Sequence, residues 1–123
     1  MLKEVIFTAR ELDLMAVLWD MGSGTVTEVR DGLADDLAYT TVLTILRTLE
    51  EKGHVGHEAE GRAHRYRPLV EREQAQESAL DRITQTLFSG STELLLTHLV
   101  SDKDLSDAEA ERLRALLNER LGG

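Results

Sequence analysis

Cysteine is absent from the 123-residue sequence, and proline and aromatic residues are scarce. Without cysteine, the chain has no disulfides, thiolate metal sites or cysteine nucleophiles, a composition that fits a reducing cytoplasm. One proline and 4% aromatic residues, beside stretches rich in Leu, Ala and Glu, favour a mostly helical fold with an aliphatic core. No apolar run approaches the ~20 residues that span a bilayer, so we expect a cytoplasmic protein without a membrane segment.

Basic residues are in the minority, and the formal net charge is −9. Such a charge disfavours nucleic acid as a partner, because Lys and Arg must neutralise phosphates. The shortage of basic residues is not uniform along the chain, since Gly61–Arg67 carries Arg62, Arg65 and Arg67 and no acid. With a screening length of ~8 Å, this patch can act despite distant acids. The charge therefore does not exclude nucleic acid.

Three capping-box patterns mark helix starts, because the first and fourth residues of the box each satisfy a backbone amide of the first turn. They are Thr8 with Glu11, Thr25 with Glu28, and Ser106 with Glu109. After the first box, an apolar repeat at helical spacing predicts a buried stripe. This stripe consists of Leu12, Met15, Ala16 and Trp19.

The next two predicted helices follow closely. The second carries an apolar stripe of Val26, Val29 and Leu33 and is predicted to end near Asp35. The third is predicted over Tyr39–Lys52, with Gly53 as its C-terminal stop. Its predicted inward positions are Val42, Ile45, Leu46 and Leu49. The short connection, residues 34–38, has the length that a helix-turn-helix pair needs.

Beyond Gly53 the apolar repeat shortens from about 3.6 residues to two, which predicts β-strands. Residues 55–60 and 64–67 form the strands of a predicted hairpin, and Gly61–Ala63 forms its basic tip. Three helices followed by a hairpin is the element order of a winged helix-turn-helix module. The sequence therefore predicts a mostly α fold built on this module, followed by a helical C-terminal region.

The outward face of the third helix is a candidate surface for double-stranded DNA. It carries hydroxyl groups and one guanidinium where a solvated helix more often carries Glu and Lys. These candidates are Tyr39, Thr40, Thr41, Thr44, Arg47 and Thr48. In a major groove Thr offers a hydroxyl and a methyl group, and Arg pairs with guanine or phosphate. A solvated helix of poor propensity is the alternative, and Tyr39 could instead pack at the helix start.

The hairpin adds Arg62, His64 and Arg65 as candidate phosphate or minor-groove contacts. Residues alternate along a strand, so Arg65 and Arg67 share one face while His64 and Tyr66 share the other. The alternative is a charged hairpin edge that resists aggregation. The threonine-rich helix favours the DNA-binding interpretation, with Arg62 near the tip as the main wing contact.

Other chemistry has little support. His54, His57 and His64 lie near carboxylates, but their spacing matches no strong metal motif, and neither a metal ion nor a cofactor is predicted. Acid pairs such as Asp35–Asp36 lack a nucleophile, a glycine-rich phosphate loop or an apolar cleft. We therefore do not expect an enzyme and assign no catalytic residue.

The rest of the chain carries leucine at helical spacing in three short segments. Helices this short cannot bury so much leucine among themselves, so a partner surface is expected, most simply a second copy related by a twofold axis. The predicted dimer interface consists of Leu80, Ile83, Leu87, Leu95, Leu99, Leu113, Leu116 and Leu117. We predict a winged-helix DNA-binding domain over residues 1–70 and a helical dimerisation domain over residues 71–123.

Several segments carry a resemblance to a known family. They are residues 8–15, Leu18–Trp19, Thr27–Val29, Ala38–Leu49, Lys52–Gly53, Gly61–Arg62 and Tyr66. With these segments the chain resembles, over nearly its whole length, the penicillinase-repressor (BlaI/MecI) family of bacterial regulators. The segment of the third helix is specific, whereas the leucines behind it are not. The resemblance implies a homodimer on a near-palindromic operator, with the third helix in the major groove and the C-terminal helices forming the dimer.

The resemblance also carries expectations about regulation. Family members typically repress β-lactamase or related genes and are released when a membrane sensor-protease triggers cleavage in the C-terminal region. The cleaved bond is Asn-Phe in some members, and neither residue matches at Thr97–His98 near that place, so an inactivating protease is not established here. A copper-responsive branch uses C-terminal cysteines, which this sequence lacks, so copper sensing by that route is excluded.

Two functions remain open from the sequence. The first is a sequence-specific DNA-binding repressor of β-lactamase-regulator type that acts as a homodimer. The alternative is a winged-helix protein-interaction module without direct DNA binding, which the acidic net charge favours. Salt dependence distinguishes them, because only phosphate contacts release condensed counterions and lose affinity steeply as salt is added.

Overall fold

The computed structural model describes residues 5–102 and 104–122. The chain forms two compact units, Met1–Asp81 and Arg82–Gly123. Its elements are α1 Ala9–Met21, β1 Gly24–Thr25, α2 Val26–Gly32, α3 Tyr39–Glu51, β2 Val55–Glu60, β3 Ala63–Pro68, α4 Arg72–Leu87, α5 Thr92–Asp102 and α6 Asp107–Gly122. The mostly helical fold class and the predicted order of helices and hairpin are confirmed.

The three capping boxes are present as predicted. Thr8 Oγ1 accepts from the Glu11 amide at 3.2 Å, and the Glu11 carboxylate accepts from the Thr8 amide at 2.8 Å. The boxes that begin α2 and α6 have the same reciprocal bonds. These caps satisfy amides that have no partner inside the helix, which explains where the three helices begin.

The buried face of α1 differs from the prediction. Leu14, Met15 and Leu18 are fully buried, whereas Leu12 and Ala16 are exposed and Trp19 is half-buried. The true stripe begins at Glu11, which is only 4% exposed. Apart from Met15, the predicted stripe lies on the wrong face, because every position from Leu12 to Trp19 except Asp13 is apolar and the spacing fits more than one face.

The helices α2 and α3 form the helix-turn-helix pair. Val42, Leu46 and Leu49 of α3 are fully buried against α1 and α2, and the predicted inward residue Ile45 is half-buried. The second helix ends at Gly32 and not near Asp35, because Leu33 adopts an extended backbone conformation at the C-cap. The connection to α3 is therefore slightly longer than predicted.

A three-stranded antiparallel sheet in the order β1-β3-β2 covers one side of this core. The predicted hairpin is confirmed, with His57 opposite Tyr66 and Glu58 opposite Arg65. Gly61 has φ +61°, as expected of the first position of a tight two-residue hairpin turn. The two-residue strand β1 was not predicted, because a strand of this length is too short to show an apolar alternation.

The start of α4 packs on the winged-helix unit through a second apolar cluster. Val5, Val70 and Ala75 are buried there, with Phe7 and Trp19 beside them. The Trp19 indole N–H donates to the Val70 carbonyl at 2.8 Å. These contacts tie the segment after the wing to α1 within the first unit.

The second unit contains the end of α4 together with α5 and α6. The break between its first two helices falls at Ser89 and Gly90, which take positive φ values of 49° and 79°. Among its described side chains, residues 82–101 and 104–120, none is buried. No helix within the described residues has the length and apolarity needed to cross a membrane.

Candidate nucleic-acid interface

The outward face of α3 presents a polar surface opposite its buried leucines. Five of the six residues predicted on this face are exposed, and Thr48 is half-buried. The exposed residues are Tyr39, Thr40, Thr41, Thr44 and Arg47. The helix thus divides cleanly between an apolar face that anchors it and a hydroxyl-rich face that is available to a ligand.

Two threonine hydroxyls on this face donate into the helix backbone. Thr44 Oγ1 donates to the Thr40 carbonyl at 2.9 Å, and Thr48 Oγ1 donates to the Thr44 carbonyl at 3.0 Å. With the donor used in this way, each side chain offers its ligand a methyl group and oxygen lone pairs. That combination suits a thymine methyl or a base amino group better than a phosphate oxygen.

Arg47 and Arg62 stand apart from the other basic residues of the first unit. Neither forms an ion pair or a hydrogen bond with any described residue, and both are exposed. Every other described Arg or Lys of this unit contacts a carboxylate. The two unpaired cations lie on the outward face of α3 and at the hairpin tip.

Arg65 and Arg67 are already engaged by acids. The Arg65 guanidinium contacts Glu28 and Glu60, each at 2.9 Å, and Arg67 pairs with Glu58. The bonds from Glu60 and then from Glu28 raise the pKa of Arg65. The local excess of positive charge in the sequence of the hairpin is therefore largely neutralised in space.

His64 lies on the other face of the hairpin in a stack of rings. Its ring centroid is 4.3 Å from that of His57, which contacts Tyr66 and whose Nδ1 lies 2.6 Å from a Glu50 carboxylate oxygen. Burial raises the pKa of Tyr66 and Glu50 raises it further, so the phenol stays protonated at neutral pH. Within the part of the chain that is described, no group of three His, Asp or Glu side chains is arranged to hold a metal ion.

An ion pair between the buried carboxylate of Glu11 and the half-buried ammonium of Lys52 fixes the C-terminal end of α3 against α1. Lys52 Nζ donates to both carboxylate oxygens of Glu11 at 2.9 Å. Burial alone would raise the pKa of Glu11, but the bonds from Lys52 and Thr8 outweigh burial, and the net pKa is lowered. This pair holds α3 in place from the side that faces the core.

Sequence reasoning missed the acids that hold the wing arginines. Glu58 and Glu60 could have been inferred, because a two-residue tip sets a register with Glu58 opposite Arg65. Glu28 lies 37 residues away from Arg65, and no local pattern links them. The Glu11 pair was missed for the same reason, since Lys52 is 41 residues distant.

The second surface of interest is the set of leucines predicted to form a dimer interface. Seven of these eight residues are exposed, and Leu95 is half-buried. The exposed ones are Leu80, Ile83, Leu87, Leu99, Leu113, Leu116 and Leu117, with Leu87 reaching 73%. Leu94, Leu96 and Val100, which were not in the predicted set, are exposed as well.

Comparison with known proteins identifies one family. The family model described as penicillinase repressor matches residues 7–119. The transcriptional regulator BlaI of Mycobacterium tuberculosis is 38% identical over 101 residues, which cover 80% of this chain and 72% of that protein. The penicillinase repressor of Bacillus licheniformis is 26% identical over 111 residues, covering 89% and 87% respectively.

A solved structure supports the same fold. The solution structure of the DNA-binding domain of the repressor BlaI matches with a TM-score of 0.53 at 30% identity. The match covers 60% of this chain and 93% of that domain. The winged-helix architecture predicted from the sequence is confirmed by this likeness.

Proposed function

Because this chain belongs to the penicillinase repressor family, it is a transcriptional repressor and not an enzyme, and we propose that it acts as a homodimer on a near-palindromic operator. In this proposal each protomer inserts α3 into a major groove and applies its wing to the adjacent backbone. Residues 1–70 bind DNA, and residues 71–123 pair the two protomers.

The observation that carries the DNA-binding proposal is the location of the unpaired cations. Arg47 and Arg62 have no acidic partner among the described residues, and they lie where a winged helix meets the groove and the phosphates. A guanidinium without a protein partner keeps all five N–H donors for a base edge or a phosphate. The net charge of −9 remains unfavourable, but the two cations act locally, because charges farther away than a screening length of ~8 Å are largely screened.

The threonines supply the specific part of the proposed contact. Thr40, Thr41, Thr44 and Thr48 offer methyl groups and lone pairs to base edges, and Tyr39 offers a phenolic hydroxyl at the start of α3. The His64 side chain is exposed and is a further proposed contact. Arg65 differs from these residues because its guanidinium is held by two carboxylates.

Dimerisation is supported by the apolar surface of the second unit. A monomer rarely exposes so many large apolar side chains together, and a second copy is the simplest surface that would bury them. Leu80 extends the set into the middle of α4. Two linked protomers would hold two copies of α3 at a fixed spacing, which is what a near-palindromic operator requires.

The test is selection of genomic fragments by the full chain, followed by titration of an enriched duplex over a series of salt concentrations. If Arg47 and Arg62 of both protomers bind phosphate, the affinity should fall with a log-log slope on the order of −3 to −4. A protein-interaction module without direct DNA binding would enrich no common sequence. An affinity that is nearly independent of salt would equally contradict the proposal.

A further inference from the structure

Arg65 joins three elements of the winged-helix unit through one guanidinium. From β3 it donates to Glu28 of α2 at 2.9 Å and to Glu60 of β2 at 3.0 Å, and Ser23 Oγ lies at 3.5 Å. The side chain is half-buried in this position. A planar fork that is held by two carboxylates has few donors left for a phosphate.

Glu28 is the point where the wing meets the helix-turn-helix pair. The oxygen that accepts from Arg65 also accepts from the Thr25 amide, which closes the capping box of α2. Thr25 is in turn the backbone partner of Arg65 in the β1–β3 pairing. The Thr25 amide and then Arg65 lower the pKa of Glu28, so its carboxylate is charged at neutral pH.

Arg67 provides the natural comparison. It lies on the same strand and the same face as Arg65, but its acidic partner Glu58 belongs to the hairpin itself. Its ion pair therefore stiffens the wing without fixing the wing to anything else. Of the two arginines, only Arg65 spans from the wing to α2.

We infer that Arg65 is a positioning residue, which fixes the wing against the start of α2 so that Arg62 and α3 meet the same DNA. It acts through Glu28 and Glu60 and does not itself contact phosphate. This inference replaces the phosphate contact predicted for Arg65 from the sequence, and it rests on the DNA-binding function proposed above. Lys replaces Arg poorly here, because a compact ammonium lacks the planar fork that reaches carboxylates on two different elements.

Conservative variants separate positioning from phosphate binding. Arg65→Lys keeps the charge, so a phosphate contact would survive, whereas a positioning role predicts an affinity about three- to fivefold weaker for the selected duplex. Arg67→Lys is the matched control and should change the affinity less than about twofold. The inference would be overturned if Arg65→Lys bound the duplex as tightly as the parent, or if Arg67→Lys lost as much affinity as Arg65→Lys.

The direction in which Glu28→Gln changes the DNA affinity gives an independent test. Glu28→Gln preserves the capping box, because Gln can replace Glu in that motif. If Glu28 only restrained a phosphate-binding Arg65, its neutralisation would strengthen DNA binding. We expect Glu28→Gln to weaken DNA binding when it is introduced into the parent protein. Introduced into Arg65→Lys, it should cause no further loss. Stronger binding, or losses that add in the double variant, would contradict a positioning role.

Amide hydrogen exchange in the DNA-free protein completes the test. Arg65→Lys should accelerate exchange at the β1–β3 backbone pairs while the unfolding midpoint of the unit stays unchanged, and Arg67→Lys should not. Unchanged exchange in Arg65→Lys would overturn the inference. If the parent protein binds no duplex at all, the proposed DNA-binding function fails, whereas a failure confined to these variants leaves that function intact.

Discussion

The two units of the chain differ in whether their aliphatic side chains are buried. Residues 5–81 bury their aliphatic side chains in a closed core that includes Leu14, Leu18, Leu46 and Leu49, each with no exposed surface. In the described side chains of residues 82–120, leucine is at least as frequent, but none is buried. The first unit can complete its own interior, and the second cannot.

This difference assigns separate tasks to the two units. Burial of apolar surface is the main source of folding free energy, so the first unit has a stability of its own. In the proposed dimer, the exposed leucines of the second unit gain that free energy against a second copy, and the stability of this unit then depends on protein concentration. Changes in the two units should therefore have distinguishable effects.

The largest expected effect comes from opening the closed core. Leu46→Ala removes a fully buried side chain from α3 and should lower the free energy of unfolding by about 2–5 kcal/mol. Trp19 is the single tryptophan of the chain and lies in the first unit, so its fluorescence during denaturation reports on this unit. The matched control is Leu12→Ala on α1, where the side chain is 45% exposed, and its cost should stay below about 1 kcal/mol. Equal costs for the two variants would mean that the core is assigned wrongly.

The next largest effect is expected on dimerisation, from a change in the second unit. Leu113→Asp places a charge in the proposed interface and should weaken dimerisation by about 100-fold or more, measured by sedimentation equilibrium. The Trp19 unfolding transition should persist, because the first unit does not need this surface to fold. Leu12→Asp is the same chemical change on an exposed site of the first unit and should leave the dimer intact. A Leu113→Asp variant that still sediments as a dimer contradicts the assigned interface.

A smaller effect is expected from a change to the ion pair between Glu11 and Lys52 in the first unit. Glu11→Gln keeps the capping box but loses the charge opposite Lys52, and should cost about 1–2 kcal/mol at neutral pH. The pKa of Glu11 is lowered from 4.5, so its carboxylate adds stability that is present above pH 4.5 and is lost as the pH falls below that value. The gap between parent and variant should close over this acidic range in pH-dependent denaturation.

The control for that change is Glu51→Gln, since Glu51 is an exposed carboxylate near the end of the same α3 helix. It should cost less than about 0.5 kcal/mol at every pH. A gap between the parent and Glu11→Gln that stays constant down to low pH would show that the carboxylate is not stabilised by its partner.

The smallest expected effect separates binding from assembly. Arg47→Ala should weaken binding of the selected duplex about tenfold while leaving both the dimer and the Trp19 unfolding transition unchanged. Arg72→Ala removes the same charge from an arginine that is paired with Asp20, and should change affinity less than twofold. Equal titration curves for Arg47→Ala and the parent would remove Arg47 from the DNA surface.

Local patterns in the sequence were sufficient for most of the fold. Each capping box involves residues three apart, and the change from a helical to a strand period at Gly53 is equally local, so these features could be read directly. Long-range pairs could not be read in this way. The Glu11–Lys52 pair joins residues 41 positions apart and the Glu28–Arg65 pair joins residues 37 positions apart, so neither pair could be predicted from local spacing.

The candidate surfaces could likewise be predicted only where local sequence patterns determine them. The polar face of α3 follows from helical spacing, and its exposure agrees with the prediction. Which arginines remain unpaired depends on tertiary contacts, and this separates Arg47 and Arg62 from Arg65 and Arg67. The leucines of the second unit were recognised as an excess, but a sequence pattern does not show which surface covers them.

In the proposed complex, two chains that are joined by the second unit present two copies of α3 to one operator. Native mass spectrometry of the full chain with the selected duplex tests it most directly. We predict two chains per duplex, and a shift towards single occupancy for Leu113→Asp. One chain per duplex at saturation in the parent protein would contradict the claim.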